Sequence, residues 1–130
     1  MNRLFIILTA AIVFLAFQAA SGQTVKRIQF AKGKSSAVIK GVTGDRGVIY
    51  VLNARSGQKL VITLTPARGV GIRVETDGTD GQNVLLREEN GGTYEVGLEE
   101  TGEYTILIGS NNNRSTPFTL TVKITKLADV

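Results

Sequence analysis

Four places in the chain combine residue types that can do chemistry. Ser56-Gly57-Gln58-Lys59 spaces a serine and a lysine as S-x-x-K. Penicillin-recognising enzymes use that pattern, with the serine starting a helix and S-D-N and K-T-G partners elsewhere. Here the residues that follow, Leu60, Ile62 and Leu64, alternate like a strand, and no partner motif is present. The segment is therefore expected to be a hairpin turn. Asp77-Gly78-Thr79-Asp80-Gly81-Gln82-Asn83 gathers hard oxygen donors of the kind calcium takes, but without EF-hand spacing. Paired Asp-Gly steps are ordinary turn chemistry, and no metal site is expected. Glu88-Glu89 and Glu99-Glu100 supply the carboxylates that glycosidic chemistry needs. Adjacent strand residues point to opposite faces, so both pairs read as solvated strand ends. The fourth place is Ser110-Asn111-Asn112-Asn113-Arg114-Ser115-Thr116, a polar stretch with one arginine. Loops carry a disproportionate share of binding residues, and arginine is a favoured interface anchor. Arg114 with Asn111, Asn112 and Asn113 is thus the candidate partner-binding site; the alternative is a plain solvated hairpin loop. Asn113-Arg114-Ser115 is also an N-x-S sequon, which points to an exposed loop.

What is missing narrows the chemistry further. The chain has no histidine and no cysteine. Histidine is the commonest general base and transition-metal ligand. Ser-His-Asp and Cys-His catalysis are excluded within this chain, as are thiolate metal sites. No catalytic residue, cofactor or metal ligand is expected, and the protein is read as a non-enzyme.

The elements that must position these residues begin after an export signal. Met1-Asn2-Arg3 is basic, Leu4 to Phe17 is apolar apart from Thr9, and Ala19-Ala20-Ser21-Gly22 are small. This is the layout of a secretory signal peptide. At 14 residues the apolar run is short of the roughly 20 that a spanning helix needs. Cleavage is expected after Gly22, leaving 108 residues, 23–130, as a single domain. Without cysteine that domain can carry neither a lipid anchor nor disulfides, which suits a bacterial periplasmic or secreted protein.

Within residues 23–130 the hydrophobic period is two almost throughout. Ile28 and Phe30; Leu60, Ile62 and Leu64; Val70, Ile72 and Val74; Tyr94, Val96 and Leu98 all alternate with other residues. So do Tyr104, Ile106 and Ile108, and Phe118, Leu120, Val122 and Ile124. Further strands are expected at 37–42, 48–53 and, more weakly, 83–87. Glycine-, asparagine- and aspartate-rich turns separate them. Eight or nine short strands spaced this way imply an all-β, two-sheet antiparallel sandwich. Tyr104, just after Gly102 at a strand start, resembles the tyrosine corner of such folds.

Charge is segregated along the chain. Lys26 to Arg73 holds ten basic residues and one acidic; Glu75 to Glu103 holds nine acidic and one basic. These blocks either pair across strands or form a bipolar surface that steers a charged partner. Export and sparse aromatics argue against nucleic acid as that partner.

Three stretches carry a family resemblance. They are Phe30-Ala31-Lys32-Gly33-Lys34-Ser35-Ser36-Ala37, then Tyr50 through Ser56-Gly57-Gln58-Lys59 to Leu64, then Tyr94 through Gly102-Glu103-Tyr104. In that order they resemble the bacterial periplasmic inhibitors of goose-type lysozyme and, more broadly, pre-peptidase C-terminal sandwich domains. The resemblance implies a β-sandwich whose loop residues enter the cleft of a lysozyme-type glycosidase. It implies Tyr50 and Arg114 as contacts. The family pattern has two late-loop arginines four residues apart, and this chain has one. The alternative is an accessory module binding carbohydrate or a cell-envelope protein.

Overall fold

The computed structural model describes residues 25–44, 46–78, 81–112 and 114–126. The expected signal peptide at 1–22, Asp80 and Asn113 lie outside the described residues. Among the described residues nine strands follow one another: β1 Val25–Arg27, β2 Ser36–Thr43, β3 Val48–Ala54, β4 Gln58–Thr65, β5 Val70–Gly78, β6 Gly81–Glu88, β7 Gly92–Leu98, β8 Gly102–Ser110 and β9 Thr116–Lys126. They form a five-stranded sheet, β1-β3-β8-β5-β6, and a four-stranded sheet, β2-β9-β4-β7. This is the expected β-sandwich. Pairing is antiparallel except between β1 and β3, which run parallel.

The period-2 pattern decides which face is buried. Leu60, Ile62 and Leu64 of β4, Val70 and Val74 of β5, Ile106 of β8, and Leu120 and Val122 of β9 are completely inaccessible. Each such side chain contributes about 2 kcal/mol by leaving water, which lets the domain hold together without disulfides. The residues between them, such as Val61 and Thr63, lie on the outer face.

Among the described residues only β5 and β6 form a hairpin; every other consecutive pair of strands lies in different sheets. Two sequence expectations are corrected here. Ser56-Gly57 turns between sheets, from β3 to β4, with Gln58 and Lys59 already in β4, and the late loop likewise crosses from β8 to β9. A period of two fixes the buried face of a strand but not the sheet it joins. Alternation is the same for a hairpin and for a crossing. A third difference concerns the first strand, expected around Ile28 and Phe30. Pairing is confined to Val25–Arg27, and Ile28 adds one bond to the Val51 carbonyl at 2.8 Å. Ile28 is buried and Phe30 packs against the core, so apolar spacing outlasts the strand.

Two tyrosines fasten strand starts. The Tyr104 hydroxyl donates to the Glu100 carbonyl, as the tyrosine-corner reading expects. Tyr94 makes the same bond, to the Asn90 carbonyl at 2.6 Å. Both sit two residues after a glycine, Gly102 and Gly92.

The segregated charges meet in the fold. Arg27 pairs with Glu103 at 2.5 Å, Lys59 with Glu95 at 3.1 Å, and Arg73 with Glu75. Each pair joins the basic block to the acidic one, but only Lys59–Glu95 spans two paired strands, β4 and β7; Arg73 and Glu75 share β5, and β1 and β8 are separated by β3.

Candidate partner-binding end

Because each strand runs from one end of the sandwich to the other, successive links alternate between its two ends. One end carries the β2–β3, β4–β5, β6–β7 and β8–β9 links. The last of these holds the candidate residues Asn111, Asn112 and Arg114.

The base of this link is tied to its neighbours. Asn111 donates its backbone N–H to the Gly69 carbonyl at 3.0 Å, and its side-chain amide to the Glu89 carbonyl at 2.5 Å. Gly91 N–H reaches the Ala67 carbonyl at 3.1 Å. Three links are thereby laced together. The tip is ordered from within: the Asn112 Oδ1 accepts from the Arg114 backbone N–H at 3.1 Å and lies 2.9 Å from Ser110 Oγ. Thr116 Oγ1 donates to the Arg114 carbonyl at 3.0 Å. Asn111 and Asn112 therefore act first as scaffold. The Arg114 side chain is exposed, and its guanidinium has no partner among the described residues.

Tyr50 sits beneath this end, on β3, and is 2% exposed. Its ring meets Phe118 at 6.4 Å between centroids and 77° between planes. Burial raises its hydroxyl above the ordinary value of 10.0, so it is a neutral phenol. The structure thus brings Tyr50 to the same end as Arg114, but as part of the core.

Sequence reasoning missed two arginines here. Arg46 lies on the β2–β3 link and Arg68 on the β4–β5 link. Nothing local marked them; only the alternation of links puts them at the same end as Arg114. Arg68 directly precedes Gly69, whose carbonyl holds Asn111. Glu88 and Glu89 share this end, so its charge is mixed. Among the described residues no group of three or more acidic, histidine or cysteine side chains could hold a metal. The S-x-x-K serine lies at the opposite end, its N–H bonded to Thr101 Oγ1 at 2.9 Å.

No protein-family model matches the sequence, and no curated protein does. Solved structures do. The chain is similar to PliG, a periplasmic inhibitor of g-type lysozyme from Aeromonas hydrophila, at 27% identity and a TM-score of 0.68, covering 78% of this chain and 96% of that one. It is similar to PliG of Salmonella Typhimurium at 22% identity and a TM-score of 0.61, covering 78% and 97%. It is also similar to the pre-peptidase C-terminal domain of a Bacillus anthracis collagenase, at 20% identity and 0.55, covering 78% and 96%. The two groups that the sequence resembles are thus both found among its structural neighbours.

Proposed function

We propose that this protein is an exported, non-catalytic inhibitor of g-type lysozyme that docks through the end of the sandwich carrying Arg114. One observation carries the reading: an exposed guanidinium, unpartnered among the described residues, stands on a link whose base is bonded to two neighbouring links, in a domain similar over most of its length to PliG. A cation presented rigidly on such a link would pair with the carboxylates of a glycosidase cleft. A charge-assisted pair of that kind strengthens as water is excluded. Fixing the link beforehand lowers the ordering cost of binding. Arg68, one residue from the carbonyl that holds Asn111, is placed to supply a second cation from another link. Tyr50 acts from behind, by packing under the end with Phe118, and Asn111 and Asn112 hold the link in shape. Processing after Gly22 delivers the domain to the periplasm or the medium.

Purified protein beginning at Gln23 should slow g-type lysozyme at sub-micromolar concentration, with much less effect on the chicken-type enzyme. No inhibition at about ten micromolar would overturn the reading.

A second reading, an accessory module for carbohydrate, draws on one feature. The outer face of the four-stranded sheet aligns Thr121, Thr63 and Thr93 in one row and Thr119 with Thr65 in the next. Thr63 and Thr93 hydroxyls are 3.1 Å apart. Such rows can hydrogen-bond a glycan, but the chain has no tryptophan for sugar stacking, which favours the inhibitor. Retention on a polysaccharide column, lost in Thr63→Val, would favour the module.

A further inference from the structure

The end of the sandwich opposite Arg114 holds a groove of about 550 Å³, a volume within the range of small-ligand sites. Its lining divides into three kinds. Phe30, Ala54 and Ile124 are apolar. Lys34 and Arg55 are cationic, and Ser35, Asn53, Gln58 and Thr101 are uncharged hydrogen-bonding residues.

The walls are built rather than incidental. Arg55 and Gln58 close a turn on each other: the Arg55 N–H donates to Gln58 Oε1 at 2.7 Å and the Gln58 N–H to the Arg55 carbonyl at 3.2 Å. Ser56 N–H reaches Thr101 Oγ1 at 2.9 Å, and Gly57 N–H the Leu98 carbonyl at 2.9 Å. On the other side Lys34 N–H closes a turn onto the Ala31 carbonyl at 2.8 Å. Ile124 N–H bonds the Ser35 carbonyl at 2.9 Å. Three links and β9 are therefore locked around the opening.

The charges are what this groove does not satisfy for itself. Arg27, Lys59 and Arg73 each have a carboxylate. The Lys34 ammonium and the Arg55 guanidinium have none among the described residues. The nearby Glu99 and Glu100 line a separate depression with Thr76 and Tyr104. Two unpartnered cations on separate links, an apolar floor and amide-bearing side chains form a specific complement. A fatty acid would use the floor and one cation but leave Asn53 and Gln58 idle. An inorganic anion would leave the floor idle.

We propose that this groove binds a short acidic peptide, with two carboxylates paired to Lys34 and Arg55 and an apolar side chain on Phe30, Ala54 and Ile124. Asn53 and the free amide of Gln58 then hydrogen-bond the peptide's own amides. The site is independent of lysozyme inhibition, since it occupies the other end of the molecule.

The test is a calorimetric titration of residues 23–130 with the acetylated tripeptide Asp-Leu-Asp. Its uncharged counterpart Asn-Leu-Asn, amidated at the end, is the control. Micromolar 1:1 binding is expected, with the control weaker by about tenfold or more. Lys34→Ala and Arg55→Ala should each weaken binding about fivefold without loss of fold or of lysozyme inhibition. Arg55→Glu should shift preference toward a peptide with lysine at one end. Equal binding of the neutral peptide, or indifference to both substitutions, would sink the proposal. So would tighter binding of decanoate than of the peptide. Binding seen only after deletion of residues 127–130 would assign the groove to the chain's own end and equally overturn it.

Discussion

The Tyr50 ring, from the five-stranded sheet, abuts the edge or face of the Phe118 ring from the four-stranded sheet, with centroids 6.4 Å apart. This contact joins the two sheets directly beneath the end that carries Arg114, since Phe118 follows Arg114 by four residues. Aromatic pairs of this T-shaped kind add about 0.5–1.5 kcal/mol beyond their burial. The space they need comes from Gly41 on β2. A Cβ there would lie 2.7 Å from Phe118 Cζ and 3.2 Å from the Tyr50 hydroxyl.

Gly41→Ala should therefore overpack this contact. The expected loss is about 1–3 kcal/mol of folding stability, read from the midpoint of urea unfolding. Stability unchanged to within error would show that Phe118 can swing aside, and that the pair is looser than its geometry implies.

Gly91→Ala should be worse. Its Cβ would overlap the carbonyl oxygens of Pro66 and Leu64, which are backbone and cannot rotate away. A loss of at least about 3 kcal/mol is expected. In any folded fraction the 66–69 link must move. Asn111 bonds to Gly69 in that link, so inhibition should weaken alongside stability. Full inhibition by a destabilised protein would separate this link from the docking end.

Most of the fold is legible in the sequence because burial on a strand has a period of two. The alternating sets in β4, β5, β8 and β9 supply much of the core, and Tyr104 is recognisable from the glycine two residues before it. Tyr94 carries the same spacing, Gly92-Thr93-Tyr94, and makes the same bond. The connections are not legible. Ser56–Lys59 and the late loop have the composition of hairpin turns, and only long-range pairing sends their strands into different sheets. The candidate site is half legible for the same reason. Arg114 stands out locally by its polar surroundings. Arg68 and Arg46 join it only through the topology, and Tyr50 looks like a contact residue until its partner strands enclose it.

High pH probes the buried tyrosines. Burial raises the Tyr50 hydroxyl above 10.0, and burial with the carboxylates of Glu100 and Glu99 does the same for Tyr104. Below the ordinary value both phenols are protonated, folded or unfolded, and contribute no pH dependence. Above it the unfolded chain releases its protons first. Stability should then fall as pH climbs through the raised values. Urea midpoints across pH 7 to 11 should be flat with respect to these groups until about pH 10 and then drop. The double variant Tyr50→Phe, Tyr104→Phe should drop less. An equal drop in both proteins would place the alkaline transition elsewhere.

Arg114 offers the sharpest separation of stability from function. Its guanidinium is exposed and bonds nothing among the described residues, while its backbone N–H and carbonyl fix the link through Asn112 and Thr116. Truncation to alanine keeps those backbone bonds, so folding stability should change by no more than about 0.5 kcal/mol. If the side chain is the buried anchor of a lysozyme complex, inhibition should weaken by about 2 kcal/mol, some thirtyfold. Arg114→Lys keeps the charge but loses the planar fork that grips a carboxylate at two points. It should recover only part of the loss. Arg114→Glu should abolish inhibition by setting like charges against each other in the cleft. Arg68→Ala, at the edge of the same end, should act chiefly on the association rate and its salt dependence. If Arg114→Ala inhibits as well as the parent protein, the anchor lies on another link, and Arg68 is the first residue to test in its place.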